Sequence, residues 1–368
     1  MPSRRSVLAA AAGVLAGLPV LGAPATALAA PGPAPAAGSP IPDTLASKLA
    51  VNARRKADES KFPLTHLAVG WTGPADGAAV RIRTRTGWSD WTGLHGCDGG
   101  RDGRAIAKRA LLNVPGGVGY ELTLPGTGTV TELNTVDGPT RATAAATRSA
   151  TPLSTRTIGR PYLSRAAWGA DESLRFKDDG TERFPADYYP VQTVTVHHSA
   201  GINDDPDPAA TMRAIYYDQT ITRDFGDFGY HLAIDETGRV YEGRWSGTDP
   251  FPVYGGPLGE GGKPRMNNAA HVGGFNAGNV GIVLLGDFTS RQPTAAARRS
   301  LTYLLAAIVA LGGLDPLGTT TYVNPISGAS KTVPTIPGHR EWAATLCPGD
   351  LFFPELASVR QDVADLLG

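Results

Sequence analysis

The sequence predicts two folded units in series: a small all-β sandwich-like domain, then an α/β (α+β) domain with a mixed central sheet flanked by helices. Three observations carry that prediction. Between about residues 63 and 137, short alternating apolar runs are separated by Gly and Pro turns. From about residue 191 onward, apolar runs of strand length interleave with stretches of helical period. Between them, residues 138–158 are rich in Thr, Ala, Ser and Arg without any apolar period, the composition of a flexible linker. With 368 residues, the chain exceeds one average domain, and 41% hydrophobic against 18% charged residues supplies material for two cores.

The first thirty residues read as an export signal. Ser3-Arg-Arg-Ser-Val-Leu8 places paired arginines ahead of a mildly apolar run from about Ala9 to Leu21, and Ala27-Leu-Ala29 offers a small-residue cleavage site. The twin arginine favours the Tat route. An uncleaved anchor is the alternative, but the run is short of the roughly 20 residues a span needs. The expected location is therefore extracytoplasmic, and no later segment reads as a membrane span. Residues 31–62 begin with a Pro/Ala/Gly stretch and are expected to form a tether.

In the first unit, 64–71, 79–85, 119–124 and 129–133 alternate as strands do. Gly87-Trp-Ser-Asp-Trp91 pairs two tryptophans. Packing into the sandwich core is the favoured expectation for both, with sugar stacking as the alternative. In the second unit, 191–196 is a strand, and 208–224 a helix with Met212, Ile215, Tyr216 and Ile221 on one face. Residues 230–234 and 239–242 flank Asp235-Glu-Thr-Gly238, a hairpin turn. Residues 279–285 form a buried-type strand, while 293–311 and 353–367 are amphipathic helices. The Gly/Pro-rich stretch 247–266 is expected to be a surface loop.

Formal net charge is zero, which argues against a nucleic-acid or membrane-surface role spread over the whole chain. There are two cysteines. Cys97, in a Gly-rich turn, reads as a free thiol. Cys347 lies eight residues after His339, close enough for one loop to fold both onto an ion, and His197 follows directly on the strand at 191–196. Two imidazoles and a thiolate suit a catalytic zinc site, which keeps one position open. Singly, each signal is weak, because a lone strand-end His or buried Cys is more often structural.

The surrounding motifs then converge. Val196-His-His-Ser-Ala200, Gly229-Tyr-His-Leu232, Asp235–Arg244, Ala270-His271, Asn279-Val-Gly-Ile282, Gly286-Asp-Phe288 and Pro337-Gly-His339…Cys347-Pro-Gly349 occur in one order. Together they resemble the type 2 N-acetylmuramoyl-L-alanine amidase family, which includes the peptidoglycan recognition proteins. Ser164–Ala170 is similar to the opening motif of the recognition-protein branch. The resemblance covers roughly residues 159–368.

It implies zinc held by His197, His339 and Cys347, with Tyr230 and Thr345 beside the metal as catalytic residues. His198 and His231 are expected to face away. It also implies peptidoglycan as partner, with substrate contacts from His271, Asn276, Arg244 and Trp245. For His271 a local structural hydrogen bond is the alternative, and for Trp245 packing on its own domain. Trp168 and Trp342 are read as core or lid packing. The implied reaction is zinc-assisted hydrolysis of the amide between N-acetylmuramic acid and L-alanine, by a wall-associated exported protein. Alternatives are a non-catalytic module holding muropeptide in the same groove, or an adhesive protein whose β-domain does the work.

Overall fold

The computed structural model describes residues 41–57, 59–74, 76–96, 99–104, 108–141, 162–247 and 252–368. The expected export signal, the start of the tether, nearly all of the linker and Cys97 lie outside these residues.

The first unit is a seven-stranded antiparallel sheet. Its principal strands are β1 (Leu45–Ala57), β2 (Leu64–Trp71), β3 (Ala79–Thr84), β4 (Lys108–Gly117) and β5 (Gly119–Asn134). β1 runs along the whole of β5, while β3 pairs with the first part of β5 and β2 with the last. The sheet thereby closes around Leu67, Val69, Val80, Leu122 and Val130. Residues 45–57 are thus a strand and not tether. The two strands expected at 119–124 and 129–133 are one. Residues 124–126 have no partner on β1, whose register slips between Asn52 and Arg54. Pro125, which has no N–H to donate, falls in that gap.

The paired tryptophans are not core residues. Trp91 is 44% exposed. The Arg81 guanidinium sits 4.8 Å from the Trp88 ring and 5.2 Å from that of Trp91, while bonding Glu121 at 2.6 Å. Cation–π attraction to this outer ion pair holds both rings outside the sandwich.

The second unit has a mixed sheet in the order β6 (Tyr162–Leu163), β9 (Val240–Glu242), β8 (Leu232–Ile234), β10 (Asn279–Leu284) and β7 (Thr193–His198). β8 and β9 form the expected hairpin, antiparallel, and β10 pairs parallel with both β7 and β8. Alternation along the strands divides the sheet's two faces. Val194, Val196, Ile282 and Leu284 pack on helices α2 (Ala295–Gly312) and α3 (Phe352–Leu367). Val283 faces the other way, with Met212, Ile215 and Tyr216 of α1 (Pro208–Tyr217). His197, one residue beyond Val196, belongs to that second face. α1 ends at Tyr217, and residues 218–222 continue with wider turns. α2 is apolar and long enough to cross a membrane, but 67% of it is buried in this core. The stretch 247–266 is not simply a loop: Arg265–Asn267 pairs with Tyr254–Gly255 on one side and with Tyr188–Pro190 on the other, and Tyr254 and Met266 are fully buried.

The two units touch. Ala68, Leu111 and Leu133 pack on Ala214 of α1. Asn113 donates to the Thr211 hydroxyl at 2.8 Å, the Thr135 hydroxyl donates to the Ala210 carbonyl, and Arg213 donates to that of Thr135. A second contact comes from the loop at 99–104. Asp102 accepts from the side chain and backbone of Asn276, Arg101 donates to the Arg183 carbonyl, and Arg104 pairs with Asp224.

His66 is buried in the first contact. Its Nε2 lies 3.1 Å from the Asn113 amide nitrogen and 3.2 Å from the Thr211 hydroxyl. Burial, and secondarily Arg213, push its pKa down from 6.5 to about 3. A base depressed on folding stabilises above its unfolded pKa, and that contribution is lost as pH falls toward the folded one. At pH 5 the cost is about 2 kcal/mol, from 1.36 kcal/mol per unit. Replacing His66 with Gln is expected to remove about that much of the stability lost between pH 7 and 5, measured by urea unfolding. An unchanged pH slope would show that His66 does not carry it.

Candidate metal centre and cleft

Two elements bring the cluster together. The segment before His339 runs parallel to β7: Val196 donates to the Pro337 carbonyl at 2.8 Å, and Val196 bridges Gly338. His339 therefore arrives beside His197, their ring centroids 4.6 Å apart. Arg340 then donates to the Cys347 carbonyl at 3.0 Å, closing the loop that returns the thiol. The ligand atoms of His197, His339 and Cys347 lie within 4.8 Å of one another, and all three residues are buried.

The donor chemistry fits a transition metal such as zinc. Both ring nitrogens of His339 are buried without a hydrogen-bond partner among the described residues. Such atoms cost free energy unless something binds them. Burial, reinforced by the neighbouring imidazoles, holds His197 neutral, well below its usual pKa. Its Nδ1 lies 3.6 Å from the Cys347 sulfur, and its Nε2 lies 3.0 Å from Nδ1 of His271. His271 Nε2 in turn lies 2.9 Å from the Asn279 carbonyl. The carbonyl can only accept, so His271 donates to it from Nε2 and accepts from His197 at Nδ1. His197 Nδ1 is then left with its lone pair toward the cluster. The His198 backbone N–H also points at the sulfur, at 3.4 Å.

Gly281 makes this relay possible. A Cβ there would stand 2.6 Å from the His271 ring. His271 is therefore buried and holds the His197 ring in place. Replacing it with Ala is expected to weaken zinc binding roughly 10–100-fold, the range for partners that orient ligands. A chelator-competition titration reads this, and wild-type affinity in the variant would reduce His271 to packing.

Two further expectations need correction. Arg244 is buried, its guanidinium spent on Asp227 at 2.7 Å and on the Asn268 and Phe184 carbonyls. Asn276 is fully buried: it accepts from the backbone of His271 and Val272 and donates to Gly100 and Asp102. Trp245 is half-buried, with the Arg175 guanidinium 4.0 Å from its ring centroid. Arg244 and Asn276 are polar residues beside a recognisable motif, but their side chains turn inward. His231 is held between the Asn267 carbonyl and the Gly281 N–H. Trp168 and Trp342 are buried, as expected of packing residues.

The cluster borders a cavity of about 670 Å³ lined by Tyr230, Thr345 and Cys347. The Tyr230 ring stands edge-on to His197, centroids 5.0 Å apart. The Thr345 hydroxyl accepts from the Cys347 N–H at 3.2 Å, leaving its own proton to donate. His198 and Asp287 also line the cavity, with His198 Nδ1 accepting from the Phe288 N–H. Asp287 lies in a motif already quoted, but nothing in its spacing marks it as cleft-lining. His95, Lys108 and Arg109 of the first unit form the facing wall. No sequence signal placed them there.

Fold and site define an α+β domain with a His–His–Cys cluster, of a kind that could hold a metal ion, under a cleft. The sequence pattern of the family described as N-acetylmuramoyl-L-alanine amidase matches residues 187–350. Peptidoglycan-recognition protein LB of Drosophila melanogaster is 30% identical over 199 residues, 53% of this chain and 67% of that one. Peptidoglycan recognition protein 1 of Bos taurus is 31% identical over 191 residues, 51% of this chain and 78% of that one. A human N-acetylmuramoyl-L-alanine amidase is 28% identical over 148 residues, covering 39% of this chain and only 19% of that protein. The chain belongs to this family of amidases and peptidoglycan recognition proteins.

Proposed function

We propose that this protein is a zinc-dependent, exported N-acetylmuramoyl-L-alanine amidase that hydrolyses the amide between N-acetylmuramic acid and L-alanine of peptidoglycan. One observation carries the reading: His197, His339 and Cys347 converge below an open cleft with both nitrogens of His339 unsatisfied. A family member that only recognises its ligand has no use for that arrangement. The amidase and recognition-protein names among the relatives support peptidoglycan as the partner.

A bound zinc ion supplies Lewis acidity for the carbonyl and activation of water. The chain's own groups do the rest. His271 fixes the His197 tautomer, and the His198 N–H favours the thiolate of Cys347. Tyr230 and Thr345 border the cleft with hydroxyls able to donate to the amide oxygen as it gains charge. Asp287 is the cleft carboxylate beside His198, 3.7 Å from its Nδ1, and the best-placed group to pass a proton toward the leaving amine.

Digestion of purified peptidoglycan by the zinc-loaded chain, read by mass spectrometry, tests the reading. Free stem peptides with an L-alanine amino terminus are expected. Muropeptide bound but uncut by protein holding stoichiometric zinc would leave a recognition module instead.

A further inference from the structure

The cavity above the cluster is built from both units. Residues 92–96 and 108–112 of the β-domain face residues 198–200, 218–219, 223, 230, 287 and 344–347 across it. The β-domain is fixed on two sides of this gap, by His66 and Asn113 on α1 and by Asp102 on Asn276. It is therefore positioned as a wall.

Arg109 is the charged group of that wall with an unmet need. It lies on β4 opposite Gly70 of β2. A Cβ at Gly70 would stand 2.5 Å from its Nη1, so the guanidinium lies flat over a bare backbone. Nη1 is buried and has no hydrogen-bond partner among the described residues. The acid it senses most strongly, Asp218, is already bonded to Arg223 at 2.6 Å. Two guanidinia and one carboxylate leave this corner of the cavity with a net positive charge. That Nη1 is packed away over Gly70, while the rest of the half-buried Arg109 side chain lines the cavity, and a carboxylate is the best geometric match for a guanidinium. The peptide arms of peptidoglycan carry carboxylates, whereas N-acetylated sugars are neutral.

We propose that the N-terminal β-domain forms one wall of the substrate cleft and that Arg109 on it is a specificity-determining residue that binds a carboxylate of the ligand's peptide arm. This rests on the peptidoglycan reading above.

The test uses the full chain, stripped of metal, and isothermal calorimetry with two probes. One is an N-acetylmuramoyl tripeptide with free carboxylates; the other is the same compound with every carboxylate amidated. The native protein is expected to bind the acid form roughly tenfold or more tightly, as a charge-assisted pair implies. Arg109→Gln should weaken the acid form by that factor and leave the amide form unchanged, and Arg109→Lys should restore part of the preference. Equal loss for both probes, or no loss, overturns the assignment, as does a native chain that binds neither. Cleavage is read separately with zinc. Failure to cut with the acid preference intact would sink the amidase reading and leave the wall standing.

Discussion

Cys347→Ser is expected to lose its metal and its hydrolysis together while staying folded. A thiol deprotonates readily beside a metal, whereas a serine hydroxyl does not ionise near neutral pH. The variant therefore offers two neutral imidazoles and no anion. The loss should exceed the roughly 10–100-fold that removal of an orienting partner costs. The substitution is nearly isosteric, and the loop around it keeps its own bonds: Arg340 to the residue 347 carbonyl and the residue 347 N–H to Thr345. Unfolding midpoints of the metal-free proteins should agree closely. Zinc analysis after dialysis and release of stem peptide are the readouts, and a Cys347→Ser protein with full turnover would remove the basis of the zinc assignment.

The second large effect belongs to Tyr230→Phe. Tyr230 is 7% exposed, rests against His197 and lines the cavity, so the substitution keeps the packing and removes one hydroxyl. Zinc content should be unchanged. Loss of one donor aimed at a developing oxyanion costs about 10²–10³-fold in kcat. KM should move little, because the bond strengthens only as charge develops. A matching rise in KM with kcat preserved would instead make Tyr230 a binding group.

The His–His–Cys cluster was legible because its motifs stand in a fixed order around side chains able to ligate a metal. The roles of their neighbours were not. His271, Asn276 and Arg244 sit in or beside those motifs, yet each is satisfied internally. Sequence shows a residue's type but not the direction of its side chain, and here Gly281 and Asp227 decided that direction. The buried strands and helices of the second unit were found by period. β1 was not, since Leu-Ala-Ser-Lys-Leu-Ala-Val-Asn-Ala-Arg-Arg-Lys-Ala is poor in strand formers. It is an outer strand that exists because β5 offers it a full-length partner. Arg109 escaped notice for a related reason, as its importance arises only when two separately folded units meet.

Asn276 has a wider consequence. One face of its amide holds the backbone of His271, and the other holds Asp102 and Gly100 of the first unit. On the zinc reading, the seating of the N-terminal body is therefore expected to support retention of the ion. An excised C-terminal half should hold its ion more loosely than the intact protein.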